Sequence, residues 1–219
     1  MLWTYHHQVI DLTHAIAEGM PVYPGTEPPS LTPASSYDRD GFKETLLCMY
    51  SHTGTHIDPP AHIFAGGKTL DQFPPEQFVG QALVIDCRSL NEGQSIGMDR
   101  IRQQGALAEA AEFLLFNTGW DKRWGTPAYF GNYPCLDDDA LDFVISKNLK
   151  GIGFDVIGLD PIADANLTRH KKLFAHRDII NIENLKNLDC CGSGLFFFCC
   201  MPLKISGSDG SPARAFALA

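Results

Sequence analysis

Phe113-Leu114-Leu115-Phe116-Asn117-Thr118, then Asp137-Asp138-Asp139, then Gly151-Ile152-Gly153-Phe154-Asp155, and finally Ile179-Ile180-Asn181-Ile182-Glu183 follow one another along the chain, and their order decides the fold class. The first, third and fourth stretches are short apolar runs bounded by turn residues, the pattern of buried strands. The acidic triplet suits a helix N-terminus, and Leu141, Val144, Ile145 and Leu149 then recur at helical spacings of three and four. A second helix is expected over residues 167–177. Strand–helix–strand order over residues 112–183 predicts an α/β architecture. Further out, Ala82 to Cys87 and Leu195 to Met201 read as two more strands, while the first 75 residues are richer in turns and β-like. No repeat, linker or low-complexity tract interrupts the chain, so a single domain over residues 1–219 is expected.

The composition is that of an ordinary globular protein, with 44% hydrophobic and 20% charged residues among 219. No apolar run approaches the ~18–20 residues that span a bilayer. The start, Met1-Leu2-Trp3-Thr4-Tyr5-His6-His7, lacks the basic and apolar stretches of a signal peptide, so a cytoplasmic protein is expected. Lys plus Arg is 17 against 26 Asp plus Glu, a net charge of −9. The longest basic run is Lys171-Lys172, which argues against nucleic acid or anionic membranes as partners, since both need a positive footprint. Seven cysteines include the adjacent pairs Cys190-Cys191 and Cys199-Cys200. Structural zinc sites space each pair by two to four residues, so these cysteines are read as reduced thiols without disulfides. In Leu195 to Phe198 and onward, they pack as small hydrophobes on a buried strand. A thiol-based metal sensor is the competing reading of the pairs.

Three of the eight histidines crowd into His52-Thr53-Gly54-Thr55-His56-Ile57-Asp58-Pro59-Pro60-Ala61-His62. The β-branched Thr53, Thr55 and Ile57, with Gly54 and the diproline, argue against a helix. With period two, His52, Gly54, His56 and Asp58 share one face of an extended segment. Two imidazoles and a carboxylate are a metal-ligand pattern. In a straight strand, however, His52 and Asp58 would stand about 20 Å apart at ~3.3 Å per residue. A shared ion therefore requires a bend, which Gly54 permits, and the diproline then turns His62 back towards the site. His6, His7, His14 and His176 are read as surface or structural. Trp120, Trp124 and Tyr129 read equally as an aromatic pocket or as core packing. Asp155 and Asp160 read as strand-end and turn residues, with support of the site as the alternative.

The histidine segment resembles the signature of the cyclase superfamily of metal-dependent hydrolases, a group that includes bacterial kynurenine formamidase (arylformamidase) and isatin hydrolase. Ile10-Asp11-Leu12-Thr13-His14, Met20-Pro21-Val22-Tyr23-Pro24-Gly25, Asn117-Thr118-Gly119-Trp120 and Asp209-Gly210-Ser211-Pro212-Ala213-Arg214 are similar to other family segments. The resemblance implies an α/β fold of the swivelling β/β/α type, with a strongly curved, barrel-like mixed sheet flanked by helices. It implies His52, His56 and Asp58 as ligands of a first metal, and Asp58, His170 and Glu183 as ligands of a second, with Glu183 touching both. The competing reading of His170 is a solvated helix histidine beside two lysines. Glu183 closes an Ile-rich strand, where a buried carboxylate needs a partner and a cation is one. His62 would be the general acid/base. A homodimer or homotetramer acting in tryptophan catabolism would also follow.

This ligand set suits one or two Zn2+ or Mn2+ ions per chain. A metal lowers the pKa of its water towards ~7, and the resulting hydroxide attacks an amide carbonyl while His62 moves the proton. No Gly-x-Ser-x-Gly elbow is visible, which disfavours a serine hydrolase. The expected substrate is a small aromatic amide, first N-formylkynurenine and second an isatin-like cyclic amide, held against Tyr23, Trp120, Trp124 and Tyr129. A non-catalytic metal- or ligand-binding member of the fold is the remaining alternative, and the presence of His62 argues against it.

Overall fold

The computed structural model describes residues 8–219, so His6 and His7 lie outside the described residues. In chain order its strands are β1 (Val9–Asp11), β2 (Ser30–Ser35), β3 (Glu44–Cys48), β4 (His56–Asp58), β5 (Val79–Asp86), β6 (Ser95–Ile96), β7 (Phe113–Asn117), β8 (Cys135–Leu136), β9 (Gly151–Phe154), β10 (Ile180–Glu183), β11 (Phe196–Pro202) and β12 (Ser211–Leu218). The helices are α1 (Tyr37–Asp40), α2 (Met98–Arg102), α3 (Ala106–Ala110), α4 (Asp138–Ser146) and α5 (Thr168–His176). The α/β architecture is therefore present, and the five strands expected from the apolar runs are β5, β7, β9, β10 and β11.

β5, β7, β9 and β10 pair in parallel. β10 then pairs antiparallel with β4, β4 with β12, β12 with β11, and β11 with β5. The ring closes as a seven-stranded mixed barrel, with β1 added beside β12. Closure removes the exposed edges that an open sheet would present. β7 is buried on both faces: Leu114 and Phe116 pack with the helix residues Ile101, Leu141, Val144 and Leu173, while Phe113 and Leu115 pack with Ile57, Ile182 and Phe198. Double burial explains why this strand reads as an uninterrupted apolar run.

β4 is three residues long, yet it closes the barrel. Its register sets Asp58 opposite Asn181, Ile57 opposite Ile182 and His56 opposite Glu183. Ile57 and Ile182 go into the core with no exposure. By the two-residue period, His56, Asp58, Asn181 and Glu183 all project to the other face, which the helices cover. Asp137 opens α4, its side chain accepting a hydrogen bond from the Ala140 N–H at 2.8 Å. α5 begins after Leu167, whose φ is +51°. Its first turn is capped from a distance by Asp160, which accepts from the N–H groups of Arg169 (2.7 Å) and His170 (3.1 Å). β2 and β3 form a separate hairpin that pairs with no strand of the barrel.

All seven cysteines are free thiols, with Cys48 and Cys190 exposed and the other five buried. Cys199 and Cys200 lie on β11. Among the described residues, no helix is long and apolar enough to cross a membrane.

Candidate metal centre and active site

The histidine segment is extended only from His56 to Asp58. Gly54 takes a φ of +65°, open to glycine and strained for other residues, and the chain bends there. The bend removes the separation a straight strand would impose, and His52 Nδ1 comes to 2.7 Å from Asp58 Oδ1. His52 lies directly over Gly210, where a Cβ would stand 2.5 Å from the imidazole Cε1. Pro59 and Pro60 end the strand, and a 3-10 turn over Pro60–His62 follows. It returns His62 to the cluster, its ring 4.0 Å from that of His52 and 5.8 Å from that of His170.

Each remaining donor is fixed by a neighbour. His56 Nδ1 donates to the Gly54 carbonyl at 2.8 Å, which turns Nε2 inward to 3.1 Å from Asp58 Oδ1 and 3.6 Å from Glu183 Oε2. His170 Nδ1 donates to Asp160 at 2.7 Å, leaving Nε2 at 3.3 Å from Glu183 Oε1 and 3.5 Å from Asp58 Oδ2. Orientation of an imidazole by a carbonyl or carboxylate on its other nitrogen is a common device in metal sites. Two triads contain Asp58, His52–His56–Asp58 and Asp58–His170–Glu183, the donor atoms of each lying within 4.8 Å of one another, as do those of the less buried group His52, His62 and Asp209. The two triads share Asp58, one oxygen facing each. Except for the half-buried His52, all of their side chains are buried. A buried set of imidazole and carboxylate donors on short radii fits a divalent cation.

The electrostatics describe a site built for positive charge. Burial opposes the His56 imidazolium, but Asp58 and Glu183 outweigh it and raise the group to about 9. Burial likewise opposes charge on His170, and hydrogen bonds to Asp160, Asp58 and Glu183 lift it well above the ordinary histidine value. Burial would raise Asp58, yet His56, His170 and His52 hold it well below the usual carboxylate range. Without a cation, protons on imidazoles balance the carboxylates. His62 behaves differently: burial lowers it, and Asp58 only partly opposes this, so it stays neutral near pH 7 and can accept a proton.

The cluster forms the floor of a cavity of about 660 Å3. Its walls include Pro21, Val22, Tyr23, Tyr50, Ile157 and Ile162. Tyr23 is where an aromatic wall requires it, but Trp120, Trp124 and Tyr129 do not line the cavity. Trp120 is core, its indole N–H donating to the Tyr129 carbonyl at 2.9 Å. Trp124 stacks on His14, ring centroids 3.8 Å apart. Tyr129 is fully buried and donates its hydroxyl to Asn184 Oδ1 at 2.6 Å. Trp120 and Trp124 find their partners behind the wall, and Tyr129 reaches from behind it to Asn184, which itself lines the cavity.

Asp155 accepts from Thr118 N–H and hydroxyl and from Trp120 N–H, away from the donors, and burial raises its pKa to about 6. Asp160, read from sequence as a turn residue, instead orients His170. His170 itself is buried rather than solvated beside its lysines, and His176 is exposed. Tyr50, Asn184 and Asp209 line the cavity and Asn181 sits among the donors on Asp58 and Glu183; none of the four carried a role in the sequence reading. Asn181 was detectable as the residue that shares the face of Glu183 by the two-residue period of β10.

Comparison with known proteins is consistent with this arrangement. A family model described as "Putative cyclase" matches residues 10–161. A kynurenine formamidase of Bacillus cereus is 33% identical over 208 residues, covering 94% of this chain and 95% of that protein. The solved structure of isatin hydrolase A from Labrenzia aggregata, bound to benzyl benzoate, superposes with a TM-score of 0.85 at 27% identity, over 97% of this chain and 94% of that one. A protein described as a potential metal-dependent hydrolase with cyclase activity superposes with a TM-score of 0.79 at 31% identity, covering 96% of this chain and 97% of that one.

Proposed function

This chain belongs to the cyclase family, and from that premise we propose that it is a metal-dependent amidohydrolase acting on an aryl formamide such as N-formylkynurenine. One observation carries the reading: two His/carboxylate triads share Asp58 on the cavity floor, with the His62 ring beside them. His52, His56, Asp58 and Glu183 would hold a divalent cation, and Asp58, His170 and Glu183 offer a second set of donors. Zinc or manganese suits imidazole and carboxylate ligands. When bound, such an ion supplies Lewis acidity towards a carbonyl and towards water.

The residues of the chain do the rest. The cavity holds the aromatic part of the substrate against Tyr23, where an aromatic contact contributes about 0.5–1.5 kcal/mol beyond burial. His62 takes a proton from the attacking water at a ring nitrogen. It returns that proton to the departing nitrogen as the C–N bond breaks, so that one neutral imidazole serves both steps. The products are formate and the free aromatic amine. Hydrolysis of an isatin-like cyclic amide is the second reading, supported by the structural likeness to isatin hydrolase A. The exposed β2–β3 hairpin, with Leu46 and Leu47 in contact with solvent, supports a homodimer or homotetramer as the working form. The test is kcat/KM for N-formylkynurenine, isatin and an aliphatic formamide under one metal. The aryl formamide should lead, and a strong preference for the aliphatic compound would contradict the aromatic cavity.

A further inference from the structure

The inner triad, Asp58–His170–Glu183, already contains a nitrogen. Asn181 has no solvent exposure. Its Nδ2 donates to Glu183 Oε1 at 2.8 Å and to Asp58 Oδ2 at 3.0 Å, and lies 3.4 Å from His170 Nε2. Both amide hydrogens are therefore spent on the carboxylate oxygens that face this triad. Glu183 Oε1 also accepts the Leu159 N–H at 2.8 Å, which fills its second lone-pair direction. The oxygens that remain open lie on the other side: Asp58 Oδ1 faces His52 and His56, and Glu183 Oε2 faces His56.

We propose that the Asn181 carboxamide fills the inner triad, so that the centre takes one divalent cation per chain, on the His52–His56 side of Asp58. This rests on the metal reading above and fixes its ion count. A cation in the inner triad would need donor distances of ~2.0–2.2 Å to the same oxygens at which the amide N–H groups point. Both are positive towards those oxygens, so they exclude each other. Turning the amide aside is opposed by its surroundings. The side chain is enclosed, and an Nδ2 moved from the carboxylates would leave buried donors unpaired. The family resemblance provides for two ions, and Asn181 is the residue of this chain that withholds the second.

The measurement is metal content after chelator treatment, reloading with Zn2+ or Mn2+ alone and gel filtration. Wild-type protein should retain one ion per chain. Asn181→Ala and Asn181→Asp should retain two, the first by vacating the triad and the second by adding a carboxylate. Two tightly held ions in the wild type, or variants that fold and stay at one, would overturn the proposal. Should either variant fail to fold, anomalous scattering from Zn2+-loaded wild-type crystals decides. One peak beside His52 and His56 supports it, and a second peak beside His170 overturns it. A wild type that retains no ion overturns it together with the metal reading, whereas two ions overturn this proposal alone.

Discussion

The floor and the wall of the cavity are built by opposite means. On the floor, every donor has a polar neighbour that fixes its direction: Gly54 for His56, Asp160 for His170, Asn181 and Leu159 for Glu183. The short strand β4, locked between β10 and β12, carries His56 and Asp58. The wall is a set of loop residues, Pro21, Val22, Tyr23 and Tyr50, whose contact with the cavity is apolar and permissive. Buried hydrogen-bonded groups hold geometry tightly because misplacement leaves a polar atom unpaired. A wall of this kind tolerates change. Chemistry should thus depend sharply on the floor, and substrate choice should depend gradually on the wall.

The largest effects break the floor. Asp58→Asn should abolish turnover and lower retained metal by more than the 10–100-fold typical of residues that merely orient a ligand; metal content and activity should fall together. His62→Ala should lose about 10²–10⁴-fold in kcat with fold and metal content unchanged, and an active variant would remove the acid/base role. Gly210→Ala comes next. Its methyl would meet the His52 ring at 2.5 Å, so metal affinity should fall while the melting temperature changes little.

Effects on the wall should be smaller. Tyr23→Ala should raise KM for an aromatic amide several-fold, from loss of about 0.5–1.5 kcal/mol of ring contact, and leave an aliphatic formamide unaffected. Tyr129→Phe, behind the wall, should cost about 1 kcal/mol of stability through the hydroxyl bond to Asn184 without a substrate-dependent change in KM.

A further effect is a pH dependence of stability behind the same wall. Burial, assisted by Lys186, lowers His14 from 6.5 to about 4. The folded state therefore binds fewer protons than the unfolded state between those values. Stability from this group is present above the unfolded pKa and is lost as pH falls from 6.5 towards 4. Asp155, raised to about 6, acts in the opposite sense in both proteins and cancels in a comparison. Urea midpoints between pH 7 and pH 5 should consequently fall less in His14→Phe, which keeps a ring against Trp124, than in the wild type. Equal slopes would remove His14 from the acid limb.

The same contrast separates what the sequence reveals from what it hides. The strands β5, β7, β9, β10 and β11 are legible because each carries a buried apolar run, unbroken in β7 and flanked by exposed residues at Gln81 of β5 and at Phe197 and Met201 of β11. The near donors are legible because His52, His56 and Asp58 are close in the chain and Gly54 marks the bend. β4 as the closing strand is not legible: three residues carry too short a pattern, and its partners lie more than a hundred residues away. Asp160 looks like a turn residue because Leu159-Asp160-Pro161 is a turn sequence, and its service to α5 begins only nine residues later. For Trp120, Trp124 and Tyr129, residue type gives the ring but not its direction. That direction is set by the Tyr129 carbonyl, His14 and Asn184, which only the fold brings near. Asn181 was visible as the strand neighbour of Glu183, but its hydrogen bond to Asp58 depends on the register of β10 against β4.

The role proposed for the buried cluster on the floor is to hold a divalent cation for the reaction. The direct measurement is the rate of N-formylkynurenine hydrolysis by protein stripped of metal with a chelator, then titrated with Zn2+ or Mn2+. Negligible turnover is expected in the stripped protein, with recovery that saturates near one ion per chain. Full turnover by protein verified to be metal-free would contradict that role.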